Sequence, residues 1–470
     1  PKINGQEKIN QIMNGLQGAV TVETVNYNGY SISRVRNAQT PGPEFNYVFL
    51  GDLLVIGVGL DDSGVRQVVD LVAKKTTTSL SASNKYNDAL GALKVRGDVR
   101  GLFYINMQSI VDLIKAFPAP AGAAAFTQNI DASLGAIQSI SGAVGIDNGV
   151  VVKMFFMKNA DGKQAASAIM PWDSPPAKAE TLKLLPEGSL LFTISKSMNV
   201  KQVWDTWKTN LEQTTPDQAT PVMEAISKFE SESGINIEED LINVVSDEIA
   251  LTLLDVDMSG LFPFPQLAVV LKIQDEAKAK TSMDKVVQYV IRATTPSGVS
   301  APGQEGAEEQ AATQVASGQE DYNNVTVHFV QVQLPYQNLN PSYAIINGYL
   351  VVGINKESVK VIIDVLKGNK PSISKNDIYR SSTQGFSEKV NQLAFLNLDK
   401  AMNLIIQITT WANNLQRATG AAAVTEETVQ QNVLPILESL KVLKAIAVEA
   451  VNREKGIEET MYIQIEDIRE

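Results

Sequence analysis

Apolar positions along the chain change their period several times, and each change marks an element. Short apolar runs broken by a Gly-containing turn read as antiparallel hairpins. Tyr47–Gly57 and Tyr343–Gly353 are two such runs. Each is followed by apolar residues at helical spacing: Val65, Val68, Val69 and Val72 in one case, Val359, Ile362, Ile363 and Leu366 in the other.

The two stretches are copies of one pattern, and the match extends both ways. Ser79 to Ser81 then Tyr86 matches Ser372 to Ser374 then Tyr379. Leu102–Asn106 matches Leu393–Asn397, and each leads into an amphipathic stretch. Further on, Gly149–Phe156 matches Ile457–Gln464, each as the second arm of a hairpin. Backward, Lys8–Met13 followed by Tyr30–Val35 resembles Met283–Gln288 followed by the alternating run around His328.

A second layer lies inside each half. A strand, two helices and a hairpin form a flank unit, at about 101–158, 186–275 and 392–467. A helix, a hairpin and a helix form a core unit, at about 5–90 and 281–382. The order is core, flank, then flank, core, flank. The expectation is an α+β protein: two related domains of antiparallel sheet, made of hairpins and packed with amphipathic helices. The first domain is placed at 1–170, a Pro-rich linker at 171–185 and the second domain at 186–470. The first domain lacks its opening flank unit, so the natural polypeptide is expected to extend upstream. Residues 295–321, rich in Gly, Ala, Ser, Gln and Glu, read as a mobile polar loop.

Composition narrows the chemistry. The chain has 470 residues, 44% hydrophobic and 20% charged, and a formal charge of −12. That balance argues against a nucleic-acid or anionic-membrane surface, which needs clustered Lys and Arg. No run is long and apolar enough for a spanning helix, although an N-terminal anchor could lie upstream. With no cysteine, disulfides, thiolate metal sites and thiol nucleophiles are excluded. The single histidine, His328, lies in an alternating run and reads as a satisfied or solvent-facing strand residue.

Several motifs fail on inspection. Gly57, Gly59 and Gly64 suggest a phosphate loop, but Asp62 stands where the third glycine belongs. A strand-to-helix turn with an Asp or Ser cap is the better reading. Asp255, Asp257 and Ser259 begin a calcium-loop spacing, but Gln266 stands where a bidentate Glu is needed. A polar turn is expected there, and no metal or cofactor. The carboxylate pairs Glu238–Glu239 and Glu426–Glu427 lie near helix starts, where the helix dipole favours them. Trp204 and Trp207 fall on the apolar face of a helix and read as core.

No catalytic residue set emerges. Contact candidates are Phe262 and Phe264 in a hairpin tip, and Phe117 and Phe126 bounding an Ala/Pro segment.

The opener Leu185–Ser189, Leu-Pro-x-Gly-Ser running into an apolar strand, resembles one in exported bacterial proteins of unknown function. The repeated Gly-turn hairpin followed by an amphipathic helix resembles them too. The resemblance implies a periplasmic or cell-surface location and carries over no functional residue. The expected role is therefore a non-enzymatic envelope protein that binds or scaffolds a protein partner. One alternative is a carrier of apolar ligands in a cavity between sheet and helices. Another is a hydrolase using carboxylates alone, which needs two carboxyl groups facing each other at roughly 5 to 10 Å.

Overall fold

The computed structural model describes residues 9, 20–37, 44–59, 61–76, 79–93, 97–116, 136–159, 174–196, 200–214, 216–258, 262–294, 315–334, 337–418, 431, 435 and 439–466. The chain divides into two compact units, Pro1–Asp88 and Ala89–Glu470. The fold is α+β, with antiparallel sheets packed against helices.

In the first unit, β1 (Val20–Tyr27), β2 (Tyr30–Asn37), β3 (Glu44–Leu50) and β4 (Leu53–Gly59) pair in sequence order. Asn28 and Gly29 take positive φ, as a two-residue hairpin turn demands. Helix α1 (Ser63–Val72) sets Val65 and Val69 on Ile32, Val48 and Leu50.

Gly57 is held small by this packing, because a Cβ there would lie 2.7 Å from Val65 Cγ2. No phosphate is needed to explain it. The capping differs from expectation. Asp62 occupies the cap position without a side-chain cap bond, and its carboxylate takes Arg66 Nε at 2.8 Å instead.

The second unit begins with the end of α2 (Asn84–Gly91), whose Ala89 packs with Phe155 and Met157. Next come β5 (Asp98–Asn106), α3 (Met107–Ala116), β6 (Ile137–Ile146) and β7 (Gly149–Lys158). A second strand–helix–helix–hairpin follows: β8 (Leu191–Lys196), α4 (Val200–Thr214), α5 (Pro216–Ser233), β9 (Val245–Asp257) and β10 (Phe264–Ile273). Helix α6 (Glu276–Thr294) leads to β11 (Val315–Tyr322), β12 (Val325–Leu334), β13 (Gln337–Leu339), β14 (Ser342–Ile346) and β15 (Tyr349–Gly353). Helices α7 (Lys356–Leu366) and α8 (Asp377–Ser382) precede β16 (Gln392–Asn397), α9 (Leu398–Ala418), β17 (Leu443–Arg453) and β18 (Gly456–Ile465).

All these strands join one fourteen-stranded sheet, ordered β11-β12-β14-β15-β10-β9-β8-β16-β17-β18-β7-β6-β5, with β13 off this path and pairing β12. The sheet places flank units 101–158 and 392–467 side by side through β7 and β18. The contact division therefore falls at Asp88, and the stretch expected as a linker lies within the second unit. Its described part is tied down: Ala177 bridges Val390, and Asn391 donates to the Ser174 carbonyl at 2.9 Å.

Strand alternation puts apolar residues on both faces of β10, β14 and β15. One face packs Val270, Ala344, Ile346 and Val351 under Val359, Ile362 and Ile363 of α7. The other packs Ile273, Tyr343 and Leu350 under Ala279, Met283 and Val287 of α6. Gly353 repeats the Gly57 arrangement, with an added Cβ 2.8 Å from Val359 Cγ2. Helix α7 is capped by Asn355, which accepts from Ser358 N at 2.8 Å, a residue other than the Asp or Ser expected.

One expectation is corrected. Residues 315–321, expected within the polar loop, form β11. Among the described residues the strand is an edge, which suits its polar side chains. Phe329 covers Gly318, and Glu320 pairs with Lys356 at 3.2 Å and with Lys360. The remainder of that loop, 295–314, lies outside the described residues.

Candidate binding groove

β12 alternates, so Val325 and Val327 enter the α7-side core while Thr326 and His328 face α6. Register then aligns three residues on that face: Gln319 of β11, His328 of β12 and Tyr343 of β14. Directly opposed side chains on adjacent strands are close enough to stack. The His328 ring lies flat on Tyr343, 4.7 Å between centroids with a 10° interplanar angle.

Helix α6 supplies the opposite wall. Glu276, Lys280 and Asp284 recur every four residues and so share one helix face. Glu276 accepts the Gly348 N–H at 2.6 Å, and Asp284 accepts the Tyr343 hydroxyl at 3.1 Å. Both carboxylates are thus engaged. Lys280, between them, makes no ion pair among the described residues, and neither does Lys367 at the end of α7. The groove between these walls holds about 720 Å³, within the range of small-ligand sites. Asn324, Thr326 and Asn347 add polar groups to it.

Burial pushes the His328 imidazole below its ordinary pKa, and Lys280 pushes the same way, against an opposing pull from Asp284. The ring is therefore neutral at neutral pH. Burial, with Asp284 beside it, holds the Tyr343 phenol protonated. The groove offers a neutral aromatic floor, two unpaired ammonium groups and several amides, a set suited to a polar partner of negative charge. Sequence reasoning placed His328 on a strand but missed the groove. The usable signal was the i, i+4 row Glu276, Lys280, Asp284 facing a strand histidine.

A second pocket, of 250 Å³, lies beside Glu449 and Glu458. Burial raises the Glu449 pKa, although its carboxylate accepts the Ser387 N–H at 2.7 Å. Burial also opposes charge on Glu458, but Arg453 and Lys153 outweigh it and hold that carboxyl low. Those two cations sit 3.2 and 2.9 Å from Glu458 Oε1, so this carboxylate is committed to ion pairs.

The other sequence candidates are scattered. Phe262 meets Trp411 of α9 edge-on at 6.0 Å and stays 43% exposed, so it is half packed and half open. Phe264 is partly buried at the start of β10. Phe117 and Phe126 lie outside the described residues, as do Ser259 and the Glu426–Glu427 pair. Asp255 and Asp257 lie on β9 opposite Gln266 and Phe264, beside a register shift between Gln266 and Leu267. Glu238 and Glu239 sit in the first turn of Ile237–Leu241, capped by Asn236. Trp204 and Trp207 stack at 5.0 Å, but Trp207 is 38% exposed, which corrects its placement in the core. Helix α4 turns that edge of its apolar stripe to solvent.

The model for a family described as "Protein of unknown function (DUF3352)" matches residues 2–295, well over half of the chain. The chain belongs to that family. No curated protein and no solved structure matches it.

Proposed function

We propose that this chain is a non-enzymatic binding or scaffold protein of the bacterial cell envelope, and that a partner engages the groove beside His328. The groove carries the reading. Its carboxylates are used in holding the walls, while Lys280 and Lys367 are left to meet an acidic ligand or peptide segment. An exported setting is supported by the complete lack of cysteine and by the resemblance at Leu185–Ser189. The groove is open and mixed in polarity, which favours a polar partner over an apolar cargo.

Cross-linking in intact source cells, followed by fractionation, tests this. The expected result is recovery in the envelope fraction, with cross-links from Lys280 to another molecule. Recovery in the cytosolic fraction, or cross-links that avoid the groove, would overturn the proposal.

A further inference from the structure

The register that opposes His328 to Tyr343 also brings two hairpin turns to one end of the groove. Asn323 and Asn324 turn β11 into β12, and Asn347 and Gly348 turn β14 into β15; all four take positive φ. Asparagine tolerates that backbone region and carries an amide to the turn tip. Asn324 and Asn347 both line the groove, as does Gln319 of β11.

The polar groups of the groove divide by use. Glu276 and Asp284 accept from Gly348 and Tyr343, and the Thr326 hydroxyl donates to Asp321 at 3.0 Å. By contrast, Lys280, Lys367, Gln319, Asn324 and Asn347 make no side-chain hydrogen bond or ion pair among the described residues. A ligand therefore meets two ammonium groups, which only donate, and three amides, which both donate and accept. The neutral His328 ring adds one donor and one acceptor. The complement of that set carries a negative acceptor for the ammonium groups. It also carries groups that donate and accept at once for the amides and the imidazole. A carboxylate meets the first need and hydroxyls meet the second.

Two other anionic classes match less of it. Phosphate is held by arginine forks or by bare N–H groups at a helix N-terminus. No arginine lines the groove among the described residues, and the Ala277 and Lys278 N–H groups at the start of α6 donate to Asp275 Oδ1 at 2.9 and 3.0 Å. An extended peptide gains affinity by adding a strand to an open sheet edge. The groove floor has no such edge, because β12 lies between β11 and β14, and β14 lies between β12 and β15.

We propose that the ligand of this groove is an acidic saccharide, a hydroxyl-rich ring bearing a carboxylate. The carboxylate meets Lys280 on the helix wall. The hydroxyls meet the amides of Gln319, Asn324 and Asn347 and the imidazole of His328. Lys367 is a seat for the carboxylate of a second sugar. This inference rests on the groove reading above and names its ligand.

Calorimetric titration of the full chain tests it with four probes: tri-galacturonate, the same trisaccharide reduced to its neutral form, triglutamate and inorganic phosphate. The imidazole signals of the single histidine are followed by NMR alongside. Tri-galacturonate should bind at least tenfold more tightly than the other three, move the His328 signals, and weaken at least tenfold with Lys280→Glu. Equal binding of the neutral trisaccharide, or binding that leaves the His328 signals in place, overturns the proposal. Tighter binding of triglutamate or phosphate that Lys280→Glu abolishes overturns the saccharide and leaves the groove reading standing. Binding of none of the four also overturns the saccharide, and recovery of a partner from envelope extract then decides the groove reading separately.

Discussion

The Tyr322 hydroxyl donates to Asp364 Oδ1 across 2.9 Å, joining the β11–β12 turn to helix α7. The same bond occurs in the first unit, where Tyr27 donates to Asp70 Oδ2 at 3.0 Å. The neighbouring asparagines repeat it: Asn323 donates to Asp364 at 2.9 Å, and Asn28 to Asp70 at 2.6 Å. A basic residue of the helix covers each tyrosine, Lys360 in one unit and Arg66 in the other. The duplication thus extends to a polar clamp fixing each hairpin turn to its helix.

Removing the clamp should cost stability where its carboxylate is buried. Asp364 is 6% exposed. Asp364→Ala leaves a tyrosine and an asparagine without their acceptor, for an expected loss of about 1–3 kcal/mol. Tyr322→Phe should cost about 0.5–1.5 kcal/mol. Urea denaturation measures both, and an unchanged midpoint for Asp364→Ala would refute the clamp.

The Lys196–Glu248 pair is a second anchor. Glu248 is fully buried and lies 3.2 Å from Lys196 Nζ, while its other oxygen accepts both the N–H and the hydroxyl of Thr181 at 2.6 Å. Burial alone would depress the Lys196 pKa, but Asp247 and Glu248 hold it raised. Glu248→Ala leaves Lys196 paired with Asp247 at 2.8 Å but takes the acceptor from the buried Thr181 N–H and hydroxyl, and should cost about 1–3 kcal/mol in thermal or chemical unfolding. An unchanged unfolding midpoint would refute Glu248 as an anchor of Thr181.

Glu449 gives the opposite sign. Its folded pKa is raised by burial, so the folded state holds this proton where the unfolded chain has released it. Stability from the protonated form is full below the unfolded value of about 4.3 and is lost as pH rises through the folded value. Glu449→Gln keeps an acceptor for Ser387. It should raise the melting temperature at pH 7 by about 1–2 °C and leave it unchanged at pH 4. An equal shift at both values would remove titration as the cause.

Gly353→Ala tests helix-on-strand packing. The new methyl would sit 2.8 Å from Val359 Cγ2 and 2.9 Å from the Asn355 carbonyl oxygen. An expected loss of about 1–3 kcal/mol follows from overpacking, and the double variant with Val359→Ala should recover part of it. Calorimetry distinguishes the two outcomes.

Much of this fold was legible because its units are local. Hairpin turns at Gly51 and Gly348 and the valine stripes of α1 and α7 each announce themselves within a dozen residues. The Ser79–Ser81 and Ser372–Ser374 turns also recur, each with hydroxyls 2.6 Å apart. The pairing of β8 with β16 and of β7 with β18 was not legible, because no local pattern specifies register between strands so distant in sequence. β11 was hidden by its polar edge composition. The groove was hidden because alternation assigns His328 to a face without naming the helix that walls it.

The binding role rests on groove side chains, and one comparison tests it most directly. The wild-type chain and the variant carrying His328→Ala with Lys280→Glu are used as baits against source-cell envelope extract, after circular dichroism shows equal folding. The groove account predicts one partner recovered by the wild type and reduced at least tenfold by the variant. Equal recovery by both, or none by the wild type, would contradict it.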